Sequence, residues 1–398
     1  MLGPVTLPTL VAVKDAKPGI SSFYQEPNKV CAYLRPLVEF GESSLLKRGI
    51  ERKLFKHIPI FLKATAGMRE LPQVPRDAIM LNIRLCLSDV AISPFKFAWR
   101  QASVISGDEE GSFSWLHVNV MLGNLYNSVP NTVGVIDMGG ASVQVVFVPE
   151  HDVLENFYPV SHGAGRRLGL YSKSYESYGH KRALERMSEN LLEYHKYRHH
   201  KKKTIKHPCY PRGHTFELFG RHFEGDPSFK NCLKLSKTLF PEQAECLIPD
   251  CTFNGIYQPR LLQTPFIAIS GLAKVARHLD LMSSHTEGTV SMERWFKETQ
   301  RVCSTMTNSR NTPDLCALST YIFTFLTRGL GFDLKSEQIS FRVQIDGTDP
   351  TVSYGLMMHE ISYMPWIMPE TYETQFMATA LIALVMTLAA LYTRVRGL

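Results

Sequence analysis

Nowhere in these 398 residues is there an Asn-x-Ser/Thr triplet or a Cys-x-x-Cys pair, and no His or Cys stands at the spacing of a zinc site. The first absence withdraws N-glycosylation as support for a secretory address. The second excludes the usual structural zinc modules. No internal repeat is visible, and nothing is of low complexity beyond one basic run. No RNA- or DNA-binding motif accompanies that run, so nucleic acid is not expected as a partner. The start, Met1-Leu2-Gly3-Pro4-Val5-Thr6-Leu7-Pro8, offers neither a basic n-region nor a long apolar core, so no signal peptide is legible there.

What is present is an ordinary folding composition, 44% hydrophobic and 20% charged, in a chain long enough for two domains or one large two-lobed enzyme. The net charge of +7 is unevenly spread. Much of it lies in His195-Lys196-Tyr197-Arg198-His199-His200-Lys201-Lys202-Lys203, with Lys206 and His207 just beyond. A solvated surface insertion accounts for such a run, and contact with phosphate or acidic lipid is the alternative. At the other extreme, the stretch 376–392, from Phe376 to Tyr392, carries no charge and is followed by Arg394 and Arg396. It reads as a short transmembrane helix with the arginines on the cytoplasmic side, which puts the body of the protein outside the cell or in an organelle lumen. A buried core helix is the alternative for this stretch, and a cytosolic body behind a tail anchor is the alternative for the topology.

Eight cysteines point to an oxidising compartment. Cys246 with Cys251, Cys303 with Cys316 and Cys209 with Cys232 are near neighbours that read as local disulfides; free buried thiols are the alternative. Cys31 and Cys86 are left over, and their pairing stays open.

The pattern along the chain is mixed α/β. Helical periodicity is expected over Val30–Phe40 and Leu71–Cys86, and a buried strand over Ile58–Thr65 that ends in a turn at Ala66-Gly67. Ser106–Gly111 reads as a polar turn before a helix from Ser112 to Asn124. Thr132–Asp137 and Ser142–Val148 read as two strands of a hairpin around Met138-Gly139-Gly140-Ala141. Tyr171–His207 is expected to be helical and then basic, Pro208–Asn254 loop-rich, and Ile339–Ile345 a strand.

Three segments carry candidate chemistry. In Asp137-Met138-Gly139-Gly140-Ala141-Ser142, a strand-end carboxylate can hold a hydrated divalent ion, and small residues leave backbone N–H groups open to phosphate. Ser142 and Gln144, two apart on a strand, face one side and can orient a water. An ordinary Gly-Gly hairpin is the plain alternative. In Asp108-Glu109-Glu110-Gly111, one glutamate can act as general base, although acidic residues are favoured at a helix start in any case. In Lys63-Ala64-Thr65-Ala66-Gly67-Met68-Arg69, a strand-end threonine and an arginine suit an anion, or Arg69 is simply a surface charge.

In this order and spacing, the three segments closely resemble the second, third and fourth conserved regions of the apyrase (nucleoside triphosphate diphosphohydrolase) family. The resemblance extends through Pro208-Cys209-Tyr210-Pro211-Arg212-Gly213 and Cys251-Thr252-Phe253-Asn254-Gly255, and covers nearly the whole chain from Lys17 onward. It implies an α/β, two-lobed actin-like (ribonuclease-H-like) ATPase fold. The implied lobes are residues 1–105, then 106–335 with the disulfide-rich region, then a return segment over 336–370, with the membrane helix at 376–392. It further implies cleavage of terminal phosphates from nucleoside tri- or diphosphates, with Ca²⁺ or Mg²⁺ as cofactor. Position by position, Glu110 takes the role of catalytic base, Ser142 and Gln144 place the water, and Asp137 holds the metal through its water shell. Gly139, Gly140 and Ala141 form a phosphate loop, Thr65 lies near the terminal phosphate, Arg69 belongs to the same anion site, and Arg212 approaches the nucleotide. Cys246, Cys251, Cys303 and Cys316 fit the family's disulfides, while Cys209 and Cys232 match single members of two bridges and are read as paired together.

The chain also departs from that pattern. The first conserved region, an Asp-Ala-Gly-Ser-Ser-x-Thr-like phosphate loop, is expected well before Lys17, and Val11-Ala12-Val13-Lys14-Asp15-Ala16-Lys17 lacks its glycine and hydroxyls. A truncated start accounts for the missing loop and the missing leader together. Ser270-Gly271-Leu272-Ala273-Lys274 stands where an aromatic wall for the base is usual, Leu315 where a tyrosine is, and Asn311 where an arginine is, while Thr351–Leu356 lacks a tryptophan. Stacking on the base is therefore expected to be weak. A catalytically impaired nucleotide- or partner-binding membrane protein is the competing reading. Sugar kinases and exopolyphosphatases share the fold but not the cysteine pairs or the anchor.

Overall fold

The computed structural model describes residues 10–125, 131–162, 166–198, 204–241, 246, 250–261, 264–305 and 312–362. One compact unit spans Met1–Met358 and a second spans His359–Leu398, of which only residues 359–362 are described. The apolar stretch 376–392 lies outside the described residues, and among those described no helix is long and apolar enough to cross a membrane.

The chain opens with helix α1 (Val30–Lys47), which turns Val30, Leu34 and Val38 inward at helical spacing. Strand β1 (Leu62–Ala64), helix α2 (Ala66–Arg69), helix α3 (Gln73–Ser88) and strand β2 (Ala102–Val104) follow. β1 and β2 pair in parallel as a two-stranded sheet. The helices cover it through a small core that includes Val30, Leu34, Ile79, Met80, Ile83 and Ala102. The expected buried strand at Ile58–Thr65 is thus cut to three residues, mostly half-buried, and the expected turn at Ala66-Gly67 is a helical turn. Pro59 cannot donate to a ladder, which confines regular pairing to the residues after it.

Helix α4 (Gly107–Met121) is the central helix of the larger part. Its first turn was expected to be a polar loop; instead Ser106 is the N-cap. The Ser106 hydroxyl accepts from Glu109 N at 3.1 Å, and Glu109 Oε2 accepts from Ser106 N at 2.8 Å. This reciprocal capping box, with three acidic residues in the first turn against the helix dipole, starts the helix five residues before the apolar periodicity does. Gly107 then allows a close approach: a Cβ there would lie 2.2 Å from the Ser174 Cβ.

Strand β3 (Gly134–Met138) and strand β4 (Ser142–Phe147) are buried along their whole length, which is why both read as near-continuous apolar runs. Strands β5 (Phe157–His162) and β6 (Arg166–Glu176) form the next antiparallel hairpin. Here the expected helix from Tyr171 is corrected: Tyr171 to Glu176 pairs with β4, and helix α5 (His180–Arg198) begins only after Gly179. The alternation of Tyr171, Lys173 and Tyr175 is a strand period, and Tyr171 and Tyr175 are buried.

Strand β7 (Thr204–His207) closes the stretch expected to be helical and then basic, and Pro208–Asn254, expected to be loop-rich, holds strands β8 (Thr215–Leu218) and β9 (Arg221–Gly225) and helix α6 (Phe229–Lys237). The three strands make a sheet in the order β7-β9-β8. Stacking of Phe216 on Phe223 and the buried edge of His207 against Tyr210 give this small sheet its own apolar face. Strand β10 (Phe266–Ser270), helix α7 (Gly271–His278), strand β11 (Glu287–Thr289), helices α8 (Met292–Thr305) and α9 (Leu315–Thr324), strand β12 (Ile339–Arg342) and helix α10 (Val352–Ser362) complete the described chain.

The large sheet runs β11-β12-β10-β3-β4-β6-β5. β12, β10 and β3 are parallel to one another, whereas β4, β6 and β5 turn back and forth. One side of the sheet is covered by α4 through Trp115, Leu116 and Val118, and the other by α7, α8 and α9 through residues such as Leu272, Trp295 and Tyr321. All eight cysteines are bonded, as Cys31–Cys86, Cys209–Cys232, Cys246–Cys251 and Cys303–Cys316. The pairing of Cys31 with Cys86, open from sequence, ties α1 to α3.

Candidate active site

The hairpin β3–β4 delivers Asp137, the Gly139–Ala141 turn, Ser142 and Gln144 to one place. At the turn, Gly139 N donates to Ser142 O at 3.0 Å. The N-terminus of α5 then binds the turn's carbonyls: His180 N donates to Gly139 O at 2.9 Å, Lys181 N to Gly140 O at 3.0 Å, and Gly179 N to Ala141 O at 3.1 Å. The His180 ring repeats the contact, its Nδ1 donating to Gly139 O at 2.8 Å. With the carbonyls turned toward α5, the amides of Gly140 and Ala141 donate to no acceptor among the described residues. Free backbone N–H groups beside small side chains are what an anion requires. Gly179 makes this docking possible, since a Cβ there would lie 2.4 Å from Ala141 N.

A cleft of about 810 Å³ passes this turn. Gly139, Gly140, Ala141, Ser142 and Glu110 line it, and so do Thr65, Ala66 and Gly67. Lys14 and Ala16 of the irregular N-terminal stretch also border it, as do Lys181 and Arg182 at the start of α5. Three segments separated by dozens of residues therefore converge on one space.

Glu110 sits in the first turn of α4 with 12% of its side chain exposed. Burial pushes its carboxyl up to about 7, against the opposing pull of the Arg69 guanidinium, while Asp137 and Glu176 add repulsion. Arg69 Nη1 stands 2.9 Å from Glu110 Oε2, Nη2 stands 2.9 Å from Glu176 Oε1, and Nη1 also donates to Ile105 O at 3.1 Å. The arginine is thus held between two carboxylates and is not itself a lining residue of the cleft.

Asp137 ends β3 and is buried, with its Oδ2 accepting from the Ser114 hydroxyl at 2.7 Å. Burial raises its carboxyl above the usual range, while the hydroxyls of Ser114 and Ser270 and the charge of Lys274 pull it back. Ser270 lies next to it at the end of β10 with φ of 56°, a left-handed conformation that a non-glycine residue adopts only under constraint. Gln144 Nε2 donates to Ser142 Oγ at 2.7 Å and to Ser174 Oγ at 2.9 Å.

Thus Glu110, Thr65, Gly139, Gly140, Ala141 and Ser142 share the cleft wall, with Asp137, Gln144 and Arg69 directly behind it. Arg212 is not among them: it is exposed in the turn before β8 and does not line the cleft. Ser114, Ser174, Glu176 and the α5 start were not singled out from sequence. Ser114 carried a weak signal, one helical turn after Glu110 on a helix whose polar residues are buried; Glu176 carried none, because its segment reads as helix.

Among the described residues no three His, Cys, Asp or Glu side chains gather as a metal cage. A hydrated hard cation keeps most of its waters and can be shared between one carboxylate and substrate phosphates. Asp137 fits such an ion, being a desolvated carboxylate with one oxygen fixed by Ser114.

The chain matches known proteins over most of its length. The model of the GDA1/CD39 (nucleoside phosphatase) family matches residues 5–379. Mouse ectonucleoside triphosphate diphosphohydrolase 2 is 26% identical, the match covering 95% of this chain and 82% of that protein. A human nucleoside diphosphate phosphatase is 28% identical over 80% of this chain and 72% of its own length. The Golgi apyrase of Schizosaccharomyces pombe is 28% identical over 73% of this chain and 50% of its own. The crystal structure of nucleoside triphosphate hydrolases from Neospora caninum superposes with a TM-score of 0.61 at 15% identity, covering 85% of this chain and 78% of that one, which establishes a shared fold. With a match that runs almost from end to end and a site assembled from the same segments that the sequence singles out, the chain belongs to the GDA1/CD39 family of nucleoside phosphatases.

Proposed function

We propose that this nucleoside phosphohydrolase removes the terminal phosphate of nucleoside tri- and diphosphates by direct attack of water. One observation carries the reading: a buried carboxyl poised near neutrality, Glu110, shares a cleft wall with the open amides of the Gly139–Ala141 turn. A base of that pKa is matched to proton abstraction at physiological pH. Ca²⁺ or Mg²⁺, held through water at Asp137, would supply charge neutralisation on the phosphates.

The chain's own groups do the rest. The amides of Gly140 and Ala141 receive oxygens of the terminal phosphate, and Thr65 lines the same cleft. Ser142 and the Gln144 carbonyl hold the water, whose oxygen bonds to phosphorus as the bond to the leaving oxygen breaks. The water's proton passes to Glu110. Fixed dipoles aimed at the developing charge need no reorganisation during this step. Residues 1–105, 106–335 and 336–370 would then be the two lobes and return segment of an actin-like ATPase fold. Four disulfides fit an extracellular or lumenal body, with 376–392 as its membrane anchor.

A second reading, nucleotide binding without turnover, draws support from one feature. Lys14 and Ala16 border the cleft from residues 11–17, which have neither glycine nor hydroxyls to make a second phosphate loop; Gly19 and Ser21 line the cleft just after them. Phosphate release from ATP, ADP, UDP and GDP, with Ca²⁺ or Mg²⁺ and beside Glu110→Gln, separates the two. Metal-dependent release with an acid limb in kcat/KM near pH 7, lost by about 10²–10⁴ in the variant, is expected of the enzyme. Nucleotide binding with no release above the variant leaves the second reading.

A further inference from the structure

Glu176 closes β6 and takes two donors on one oxygen: Arg69 Nη2 at 2.9 Å and the Ser174 hydroxyl at 2.7 Å. The Ser174 oxygen in turn accepts from Gln144 Nε2 at 2.9 Å, and the same amide nitrogen donates to Ser142 Oγ at 2.7 Å. A chain of polar contacts thus runs from Glu110 through Arg69, Glu176, Ser174 and Gln144 to Ser142.

The direction of each bond follows from what the groups can do. An ionised carboxylate only accepts, so the one Ser174 proton is committed to Glu176. The Ser174 oxygen is left as an acceptor, and only the nitrogen of the Gln144 amide satisfies it. That leaves the Gln144 carbonyl oxygen free to accept from water. Without an acceptor at position 176, Ser174 would be free to donate, and a Gln144 amide flipped by 180° would be equally well bonded. A carbonyl that faces Ser174 cannot hold the water. Arg69 is restrained by the same carboxylate, which draws one arm of its guanidinium away from Glu110.

We infer that Glu176 is a positioning residue for the reaction: through Ser174 it fixes the amide orientation of Gln144, and through Arg69 it divides the guanidinium that faces Glu110. The inference rests on Glu110 and Gln144 acting as proposed above. Glu176 is 44% exposed, so its truncation to alanine removes both the charge and the acceptor without emptying the core. The charged groups facing Glu110 are Arg69, Asp137 and Glu176. Loss of Glu176 removes one anion and leaves Arg69 to Glu110 alone, and both changes favour the ionised base.

The test is steady-state phosphate release with Mg²⁺ by the full chain and by Glu176→Ala, Ser174→Ala, their double variant and Glu110→Gln, each checked by thermal unfolding. Glu176→Ala is expected to lower kcat by about tenfold, the size of one lost orienting hydrogen bond, with KM changed by less than about twofold. Its acid limb in kcat/KM moves to lower pH. Ser174→Ala gives the same loss of kcat with the limb in place, because Arg69 remains divided. The double variant is no slower than either single one, since both break one path. Wild-type kcat and limb in Glu176→Ala beside an inactive Glu110→Gln would overturn the inference and leave the catalytic reading standing. Fully multiplicative losses in the double variant would overturn the path through Ser174. An active Glu110→Gln would remove the catalytic reading, and this inference with it.

Discussion

Arg69 Nη1 lies 2.9 Å from Glu110 Oε2, with 17% and 12% of the two side chains exposed, yet the glutamate is still raised to about 7. Burial outweighs the ion pair, because a carboxylate taken out of water loses more than one partly shared guanidinium restores. The folded chain therefore holds a proton on Glu110 that the unfolded chain releases near the ordinary glutamate value. Its stability falls as pH rises between that value and about 7, then levels off. Glu110→Gln is expected to be the more stable protein at pH 8, by at most on the order of 3 kcal/mol, with the difference vanishing toward pH 4. Urea unfolding at the two pH values measures it. A variant less stable than wild type at pH 8 would mean that the pairing with Arg69 wins.

The Ser114 hydroxyl bonds a buried carboxylate, so its removal leaves Asp137 short of a donor. Ser114→Ala is expected to cost about 1.5–3 kcal/mol, the range for hydrogen bonds to charged groups. It should also raise the free Mg²⁺ needed for half-maximal phosphate release, because the carboxylate is no longer held in one rotamer. A titration of activity against Mg²⁺ indistinguishable from wild type would argue that Asp137 needs no support from Ser114.

The contact between Gly179 and the β3–β4 turn has no room for a methyl group, since the atoms in the way are backbone. Gly179→Ala must push α5 from the turn, at a cost of about 1–3 kcal/mol for overpacking. The larger expected effect is on turnover, because the carbonyls of Gly139 and Gly140 lose the donors that aim the neighbouring amides into the cleft. Differential scanning calorimetry and kcat together report it. A stable variant with normal kcat would show that the turn keeps its shape unaided.

The disulfides close loops of very different length, from a sequence separation of 55 for Cys31–Cys86 to 5 for Cys246–Cys251. On the chain-entropy estimate these contribute about 4 and about 2 kcal/mol. Replacing Cys31 and Cys86 by serine is expected to lower Tm more than replacing Cys246 and Cys251. The opposite order would indicate that structure remaining in the unfolded chain, not loop length, sets the gain.

Local sequence alone made the candidate phosphate turn and the candidate base legible. Asp137-Met138-Gly139-Gly140-Ala141-Ser142 and Glu110 are local statements: a buried strand, a turn without side chains and an acidic helix start are each readable within a few residues. The near-neighbour pairs of cysteines were legible for the same reason. Where local signals conflicted, the reading failed. Tyr171–Glu176 joins the sheet because β4 offers it an edge, and the Ser106 cap begins α4 ahead of its apolar stripe. Both depend on partners distant in the chain.

What surrounds those groups came from packing in three dimensions. That Thr65, Glu110 and the Gly139–Ala141 turn line one cleft and that Arg69 is divided between Glu110 and Glu176 are consequences of packing α2, α4 and β6 together, while Arg212 lies outside the cleft lining. A pKa near 7 for Glu110 belongs to the same class. Burial and neighbouring charge are properties of a three-dimensional environment, and no window of sequence contains the water that folding removes.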